Sequence, residues 1–430
     1  MINNKKKKKK FYFVKNVLIR KEHFGTLILL RSGIRYFIDN NYFKVLKNIH
    51  ERKEIAAGDK KIKNFLQGLF VKNIITTDKS KSGSIKLLEN KFISYDCLSF
   101  PRTVYWECTN KCNYNCIHCY SVSGPRKFSE ELQFDTVKKL IDELSALGTE
   151  FLSIGGGEPL LYPDIFRVLE YAKSKGLAVE ITTNASLVTD EIIKKLVKSG
   201  LQFLQVSLDG ANEKTYSTIR RGGDFNRVVK ILPKLAGYFT LSICSVINKL
   251  NYNEIDSLIE LSKKAGAKHF RVIPLMEIGR GAGIKSLQLS KKELKNLHTI
   301  IHDKRKREKN INIQLNENLV LPESKNIFWM PGNHFGCSAA RTTCGIDARG
   351  NVYPCSFMAF EELKCGNIKN ESLLKIWRDS VVMKDLRNLD KLEGKCTKCR
   401  YLSLCRGGCR AAAYIKNKKI TDSDYLCSVI

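Results

Sequence analysis

The stretch Cys112-Asn113-Tyr114-Asn115-Cys116-Ile117-His118-Cys119-Tyr120 places three thiols three and two residues apart. Three thiolates can hold a four-iron cluster and leave its fourth iron open. An open iron suits chemistry on a ligand, whereas closure by four cysteines suits electron transfer. Cys-x2-Cys pairs also hold zinc, but a structural zinc asks for a fourth ligand nearby. The segment downstream of the cysteines separates iron from zinc. An apolar, strand-like run from Phe151 to Ile154 ends in Gly155-Gly156-Gly157-Glu158-Pro159. A turn of glycines lets backbone approach a ligand closely, and this one lies a single strand–helix unit beyond the cysteines.

Strand-like runs recur from Pro101 to about Leu321, at Thr103–Glu107, Phe151–Gly155, Ala178–Thr182, Phe203–Ser207, Thr240–Val246 and Phe270–Pro274. Between them lie stretches with helical spacing, such as Val137, Leu140, Ile141, Leu144 and Leu147. This alternation predicts βα units on a parallel sheet. Six units make a partial barrel, whose ligands bind at the carboxyl ends of the strands. The cysteine loop, the glycine turn, Ile181-Thr182-Thr183-Asn184 and Val206-Ser207-Leu208-Asp209-Gly210 all fall at such ends.

This set of motifs resembles the radical S-adenosylmethionine (SAM) superfamily. The resemblance implies an α/β fold on a partial (β/α)6 barrel over residues 101–321, with a [4Fe–4S] cluster on Cys112, Cys116 and Cys119 whose open iron chelates the amino and carboxylate groups of SAM. It implies reductive cleavage of SAM to methionine and a 5′-deoxyadenosyl radical. Gly156, Gly157, Glu158 and Pro159 match the Gly-Gly-Glu-Pro turn that binds the SAM amino group. Asn184 and Ser207 end the third and fourth strands, with Ser207 facing the ribose, and His118 lies in the cluster loop. Arg220, in Ile219-Arg220-Arg221-Gly222-Gly223, stands where related enzymes often place an arginine toward the SAM carboxylate; a solvated surface arginine is the plain alternative.

The last third of the chain, 322–430, carries eight more clustered cysteines: Cys337, Cys344, Cys355, then Cys396-x2-Cys399-x5-Cys405-x3-Cys409, and Cys427. Eight thiols are enough for two four-ligand sites; zinc ribbons are the plain alternative for each. The pattern resembles the SPASM extension of radical SAM enzymes, with two auxiliary [4Fe–4S] clusters and three in all. By that resemblance Cys337, Cys344, Cys355 and Cys409 ligate the first auxiliary cluster, and Cys396, Cys399, Cys405 and Cys427 the second. Cys97, Cys108, Cys244 and Cys365 remain, and are expected in the core as small hydrophobes. Cys244, in the fifth strand, could instead face the barrel interior, where radical SAM peptide epimerases use a cysteine to return a hydrogen atom.

Residues 1–100 have neither barrel rhythm nor cysteine clusters. After a Lys5–Lys10 tail within residues 1–10 come a strand-like Phe11–Ile19, a hairpin through Arg31-Ser32-Gly33 joining Thr26–Leu30 to Ile34–Ile38, and helical stretches near Tyr42–Glu51 and Lys61–Val71. Residues 11–78 resemble the winged-helix-like α+β RiPP recognition element, which binds leader peptides of ribosomally made precursors; 79–100 read as a linker. The family's middle helix would have to fit within Arg52–Asp59. The resemblance implies that a leader adds a strand beside Arg35–Ile38. An N-terminal cap on the barrel with no ligand is the alternative.

The formal charge is +31, and residues 1–100 carry 23 Lys and Arg against 8 Asp and Glu. Such a field favours an acidic partner, whether leader peptide, nucleic acid or anionic membrane. No zinc-finger, helix-turn-helix or aromatic RNA-binding signature is present, so specific nucleic-acid recognition is not expected. No apolar run approaches the ~20 residues of a membrane span, and no signal-peptide core forms, so a reducing cytoplasm is expected. Taken together, the sequence reads as a radical SAM/SPASM maturase of a precursor peptide, supplied with electrons by a ferredoxin or flavodoxin. The expected product is a thioether cross-link of the sactipeptide type, with carbon–carbon cross-linking and epimerisation open. A SAM enzyme acting on a tetrapyrrole or metal-cofactor precursor is the second enzymatic reading, and a basic zinc-ribbon protein the non-enzymatic one.

Overall fold

The computed structural model describes all residues except 1–7, 15–16, 23–24, 31–34, 57–58, 84, 90–96, 126–129, 316–335 and 428–430. The expected turn Arg31-Ser32-Gly33 therefore lies outside the described residues. Near the N-terminus, β1 (Val17–Glu22), β2 (Gly25–Leu30) and β3 (Arg35–Ile38) form antiparallel neighbours. β4 (Lys86–Glu89) joins β1 in parallel, giving the order β3-β2-β1-β4. This corrects the expectation of a free linker over 79–100: Lys86–Glu89 is sheet, and Cys97 to Phe100 are buried. Among the described residues no helix forms between Arg52 and Asp59; Ile55–Ala56 is a two-residue strand paired with Lys8–Lys9. Helices Phe43–His50 and Lys60–Val71 close a separate apolar core with Phe13, Ile19, Ile28, Leu46 and Leu66.

Among the described residues the main sheet has ten strands. β5 (Thr103–Thr109), β6 (Phe151–Gly156), β7 (Ala178–Thr183), β8 (Phe203–Ser207), β9 (Thr240–Ile247) and β10 (His269–Pro274) are the six expected strands, all parallel and in chain order. A seventh, β11 (Asn312–Leu315), extends the β10 edge in parallel. At the other edge β12 (Thr343–Ile346) runs parallel to β5, followed by antiparallel β13 (Asn351–Tyr353) and β14 (Gly366–Asn367). The cysteine-rich region thus continues the barrel sheet without a break in hydrogen bonding.

Each connecting helix buries one stripe. Phe134–Leu147 turns Val137, Leu140, Ile141 and Leu144 inward and stops at Gly148, whose φ of 81° suits a residue without Cβ. That same turn receives the N-terminal sheet. Arg20 Nη1 donates to the Gly148 carbonyl at 3.0 Å, and a Cβ on Gly148 would meet Leu88 and Leu18 at about 3 Å. Arg20 is ion-paired with Glu22 at 2.6 Å, and Glu22 accepts from the Ser99 amide and hydroxyl. A fully buried pair of this kind is weak evidence for stability, but losing one partner strands the other charge. It ties the N-terminal sheet to the barrel.

Candidate active site

The carboxyl ends of β5 to β10 open into one cavity of about 330 Å³. Cys112, Cys116, His118, Cys119, Gly156, Gly157, Asn184, Ser207 and Arg220 line it, as do Cys244, Cys337, Cys355 and Cys409. Two cysteine groups distant in sequence therefore share one space.

The cysteine loop and the glycine turn are built against each other. Gly157 N–H donates to the Thr109 carbonyl at 2.7 Å and Glu158 N–H to the Lys111 carbonyl at 2.9 Å. A Cβ on Gly157 would lie 2.0 Å from the Lys111 oxygen, so only glycine permits the approach. From the other side Arg280 donates from Nε to the Cys116 carbonyl at 2.7 Å and from Nη1 to the Ser123 carbonyl at 2.8 Å. Asn184 Nδ2 donates to Asn113 Oδ1 at 3.0 Å and reaches Cys112 Sγ at 3.9 Å.

Glu158 is placed differently from the expectation of a SAM contact. It is fully buried and absent from the cavity wall; its oxygens accept from Thr183 Oγ1 at 2.7 Å and the Asn184 amide at 2.9 Å. Its role is to brace the glycine turn against the end of β7. Arg220 is not a solvated arginine: its Nε is 2.6 Å from Asp209 and its Nη1 is 3.9 Å from Cys116 Sγ. His118 Nε2 meets the same Asp209 oxygen at 3.2 Å. Burial alone would raise the Asp209 carboxyl, but Arg220 and His118 overcome it and hold it at about 2.

Three wall residues carry charge or polarity that the motif reading did not single out. Glu107, on β5, has one carboxylate oxygen without a hydrogen-bond partner, and burial pushes the acid up to about 7. Arg271, on β10, donates to Gln205 Oε1 at 2.7 Å and pairs across the sheet with Cys244, itself opposite Ser207. Ser207, Cys244 and Arg271 thus stand level on three adjacent strands, and burial pushes the Cys244 thiol up to about 11. A charged residue inside an apolar strand run was the available signal for Glu107 and Arg271; Arg280 belongs to no motif and offered none.

Among the auxiliary candidates, burial first and then the neighbouring Cys337 raise the thiols of Cys355 and Cys409. Cys344 does not join them. In β12 it pairs with Val104, while Thr343 beside it lines the cavity. Successive strand residues face opposite sides, so Cys344 points to the helix side, where Cys365, Arg387 and Glu143 act on it. The expectation that Cys344 shares a ligand set with the other three is corrected. Cys396, Cys399 and Cys405 follow one another through Gly394–Lys398 and Leu402–Cys405, and Cys427 N–H donates to the Asp424 carbonyl.

Known proteins resemble this chain in sequence and in fold. An AdoMet-dependent heme synthase of Methanosarcina barkeri is 32% identical over 346 residues, spanning 76% of this chain and 96% of its own. The mycofactocin maturase MftC of Mycolicibacterium smegmatis is 31% identical, spanning 77% of this chain and 83% of its own. The radical SAM superfamily profile matches residues 106–262, and the iron–sulfur cluster-binding SPASM profile residues 337–400. The chain belongs to the radical SAM superfamily. It is a radical SAM/SPASM enzyme, and its cofactors are SAM and more than one [4Fe–4S] cluster. The fold of Streptococcus suis SuiB bound to S-adenosylmethionine superposes with a TM-score of 0.75 at 22% identity, covering 97% of this chain and 99% of that one. That overlap takes in the N-terminal sheet. Among the described residues no helix is long and apolar enough to cross a membrane.

The donor set suits such cofactors. Three thiols ring one cavity beside a glycine turn that exposes backbone. Burial pushes Cys116 up to about 12, a cost that iron reverses by taking the thiolate.

Proposed function

We propose that this enzyme matures a ribosomally made precursor peptide, with Cys112, Cys116 and Cys119 holding the SAM-binding cluster. Bound there, cluster and SAM supply hydrogen-atom abstraction from carbon once one electron arrives from a ferredoxin or flavodoxin. The chain's own residues position this chemistry. Arg280 fixes the cysteine loop through two carbonyls, and the Glu158 brace sets the height of Gly156 and Gly157, whose backbone faces the cavity. Ser207 offers a hydroxyl for the ribose, and Asp209 holds Arg220 and His118 against the loop.

The observation that carries the peptide reading is the N-terminal unit. It has its own core, docks on the barrel through Arg20 and Glu22, and ends at β3, which among the described residues has a sheet neighbour on one side only. A peptide could add there as a further strand, its backbone supplying the hydrogen bonds. The mycofactocin maturase relative and the SuiB fold, also solved bound to precursor peptide SuiA, support it. Thioether formation is the product we assign, since two cysteine groups face one cavity. Residues 396, 399, 405 and 427 would hold the second auxiliary cluster.

The heme synthase relative favours a small-molecule substrate instead, with Arg271 on the wall as a partner for a carboxylate. Coexpression of the full chain with a short cysteine-containing peptide encoded beside it decides between them. A mass loss of about two hydrogens per cross-link is expected. An unmodified peptide together with turnover of a tetrapyrrole would replace this reading with the second.

A further inference from the structure

Among the described residues three arginines line the central cavity, and two of them have evident partners. Arg220 is ion-paired with Asp209 at 2.6 Å, and Arg280 commits Nε and Nη1 to the Cys116 and Ser123 carbonyls. Arg271 stands on β10 at the level of Ser207 and Cys244, partly exposed toward the cavity. Its Nη1 reaches deeper into the barrel, across β9, and donates to Gln205 Oε1 at 2.7 Å. Gln205 Nε2 in turn donates to Thr182 Oγ1 at 3.1 Å, and the Tyr105 hydroxyl lies beside the guanidinium. These partners are neutral, and among the described residues no carboxylate lies within ion-pair distance of Arg271. The Glu180 carboxylate acts on its charge from farther off, but it accepts from Ser153 Oγ at 3.2 Å and is not on the cavity wall. A cation that has left water for neutral partners alone lacks the counter-charge that offsets its desolvation.

We propose that the floor of this cavity is a carboxylate subsite, in which Arg271 receives a carboxylate of the substrate and Gln205, held by Thr182, aims the guanidinium at it. A guanidinium presents planar pairs of donors that match a carboxylate. One arginine among neutral groups suits a single negative charge, whereas a phosphate, which carries nearly two, asks for a second cation. The inference holds for a peptide and for a small acid alike, so it does not depend on which substrate reading is right. Ser207, on the same level two strands away, is the residue proposed for the SAM ribose. A carboxylate on Arg271 therefore brings the carbons that carry it beside SAM, and the subsite selects substrates whose acid group lies close to the carbon that loses hydrogen.

The test uses full-length protein, reconstituted without oxygen and saturated with SAM. The probes are para-fluorophenylpropionate and N-acetyl-para-fluorophenylalanine, each compared with its neutral amide by fluorine NMR line broadening. The acids should bind at least about tenfold more tightly than their amides, the scale of a charge-assisted hydrogen bond. Tighter binding of the first acid would point to a side-chain or propionate-type carboxylate, and of the second to a chain terminus. Arg271→Gln should erase the advantage of acid over amide, and Arg271→Lys should restore part of it, as a point charge without the fork. Gln205→Glu gives Arg271 an internal carboxylate, so it should abolish the acid preference while leaving amide binding near the parent value. Iron content is the folding control; if Arg271→Gln loses its iron, Gln205→Glu decides alone. Acids that do not bind, acids that bind no better than their amides, or a preference that survives both substitutions would overturn the proposal. Peptide modification on coexpression is a separate readout, so failure of the subsite and failure of the maturase reading are told apart.

Discussion

The barrel and the N-terminal unit are both sheets covered on a face by helices, yet they end differently. The barrel sheet keeps growing, through β11 at one edge and β12 to β14 at the other, and opens the cavity that holds the three loop cysteines at its carboxyl end. Among the described residues the N-terminal sheet stops at four strands, keeps a separate core and leaves β3 at an edge. Natural proteins usually blunt such an edge because it invites another strand. The difference suggests a division of labour, with chemistry in one sheet and capture in the other, and that division can be broken by experiment.

The strongest break is at the cysteine loop. Replacing Cys112, Cys116 and Cys119 together by Ala should abolish 5′-deoxyadenosine formation and remove about four iron. Peptide binding to the full-length variant, followed by fluorescence anisotropy, should persist. Loss of binding along with SAM cleavage would mean that the two sheets do not act separately.

Next is Gly157→Ala. The new Cβ would meet the Lys111 backbone, which cannot step aside as a flexible side chain can. A shift near 1 Å in the cysteine loop is enough to cost about 100-fold in rate. We expect at least that loss in SAM cleavage, with the auxiliary iron retained. Wild-type rates would show that the glycine turn and the loop are not coupled.

At the capture sheet, proline at Tyr36 and at Phe37 gives a paired test. Neighbouring strand residues send their amides to opposite sides, so one substitution breaks the ladder to β2 and the other acts on the outer side of β3. The proline on the outer side should lower peptide modification about tenfold, roughly 1.4 kcal/mol, with SAM cleavage in the absence of peptide unchanged. Equal modification by both variants and the parent would make the N-terminal unit a cap.

How much of the fold and the site is legible in the sequence depends on the range of the interactions involved. Phe151–Gly156 and the other barrel strands carry their own apolar runs and helical spacers, so local pattern suffices. β11 has four residues and β12 only Thr-Cys-Gly-Ile, too short for a periodic signal. Cys344 shows the consequence. Counted along the chain it completes a set of four; placed in β12, it faces away from the other three. Glu158 is similar: its motif was legible, but the partners that consume both its oxygens lie at the end of β7.

The smallest effect concerns Glu107, the buried acid on the barrel side of the comparison. Desolvation raises it from an ordinary 4.5 to about 7, against a hydrogen bond with Tyr120 that lowers it. The folded state therefore favours the protonated acid. Its contribution to stability is fully present below about pH 4.5 and is lost as pH rises through about 7. The full shift would correspond to roughly 3 kcal/mol. As an order of magnitude, a loss of about 1 kcal/mol or more is expected between pH 5 and 8. Glu107→Gln keeps the shape and removes the titration, so its urea midpoint, measured without oxygen, should change less between pH 5 and 8 than that of the parent. A parallel pH dependence in the two proteins would show that Glu107 is ionised across this range, held by a partner in the cavity, and would move the source of any pH-sensitive stability away from the barrel wall.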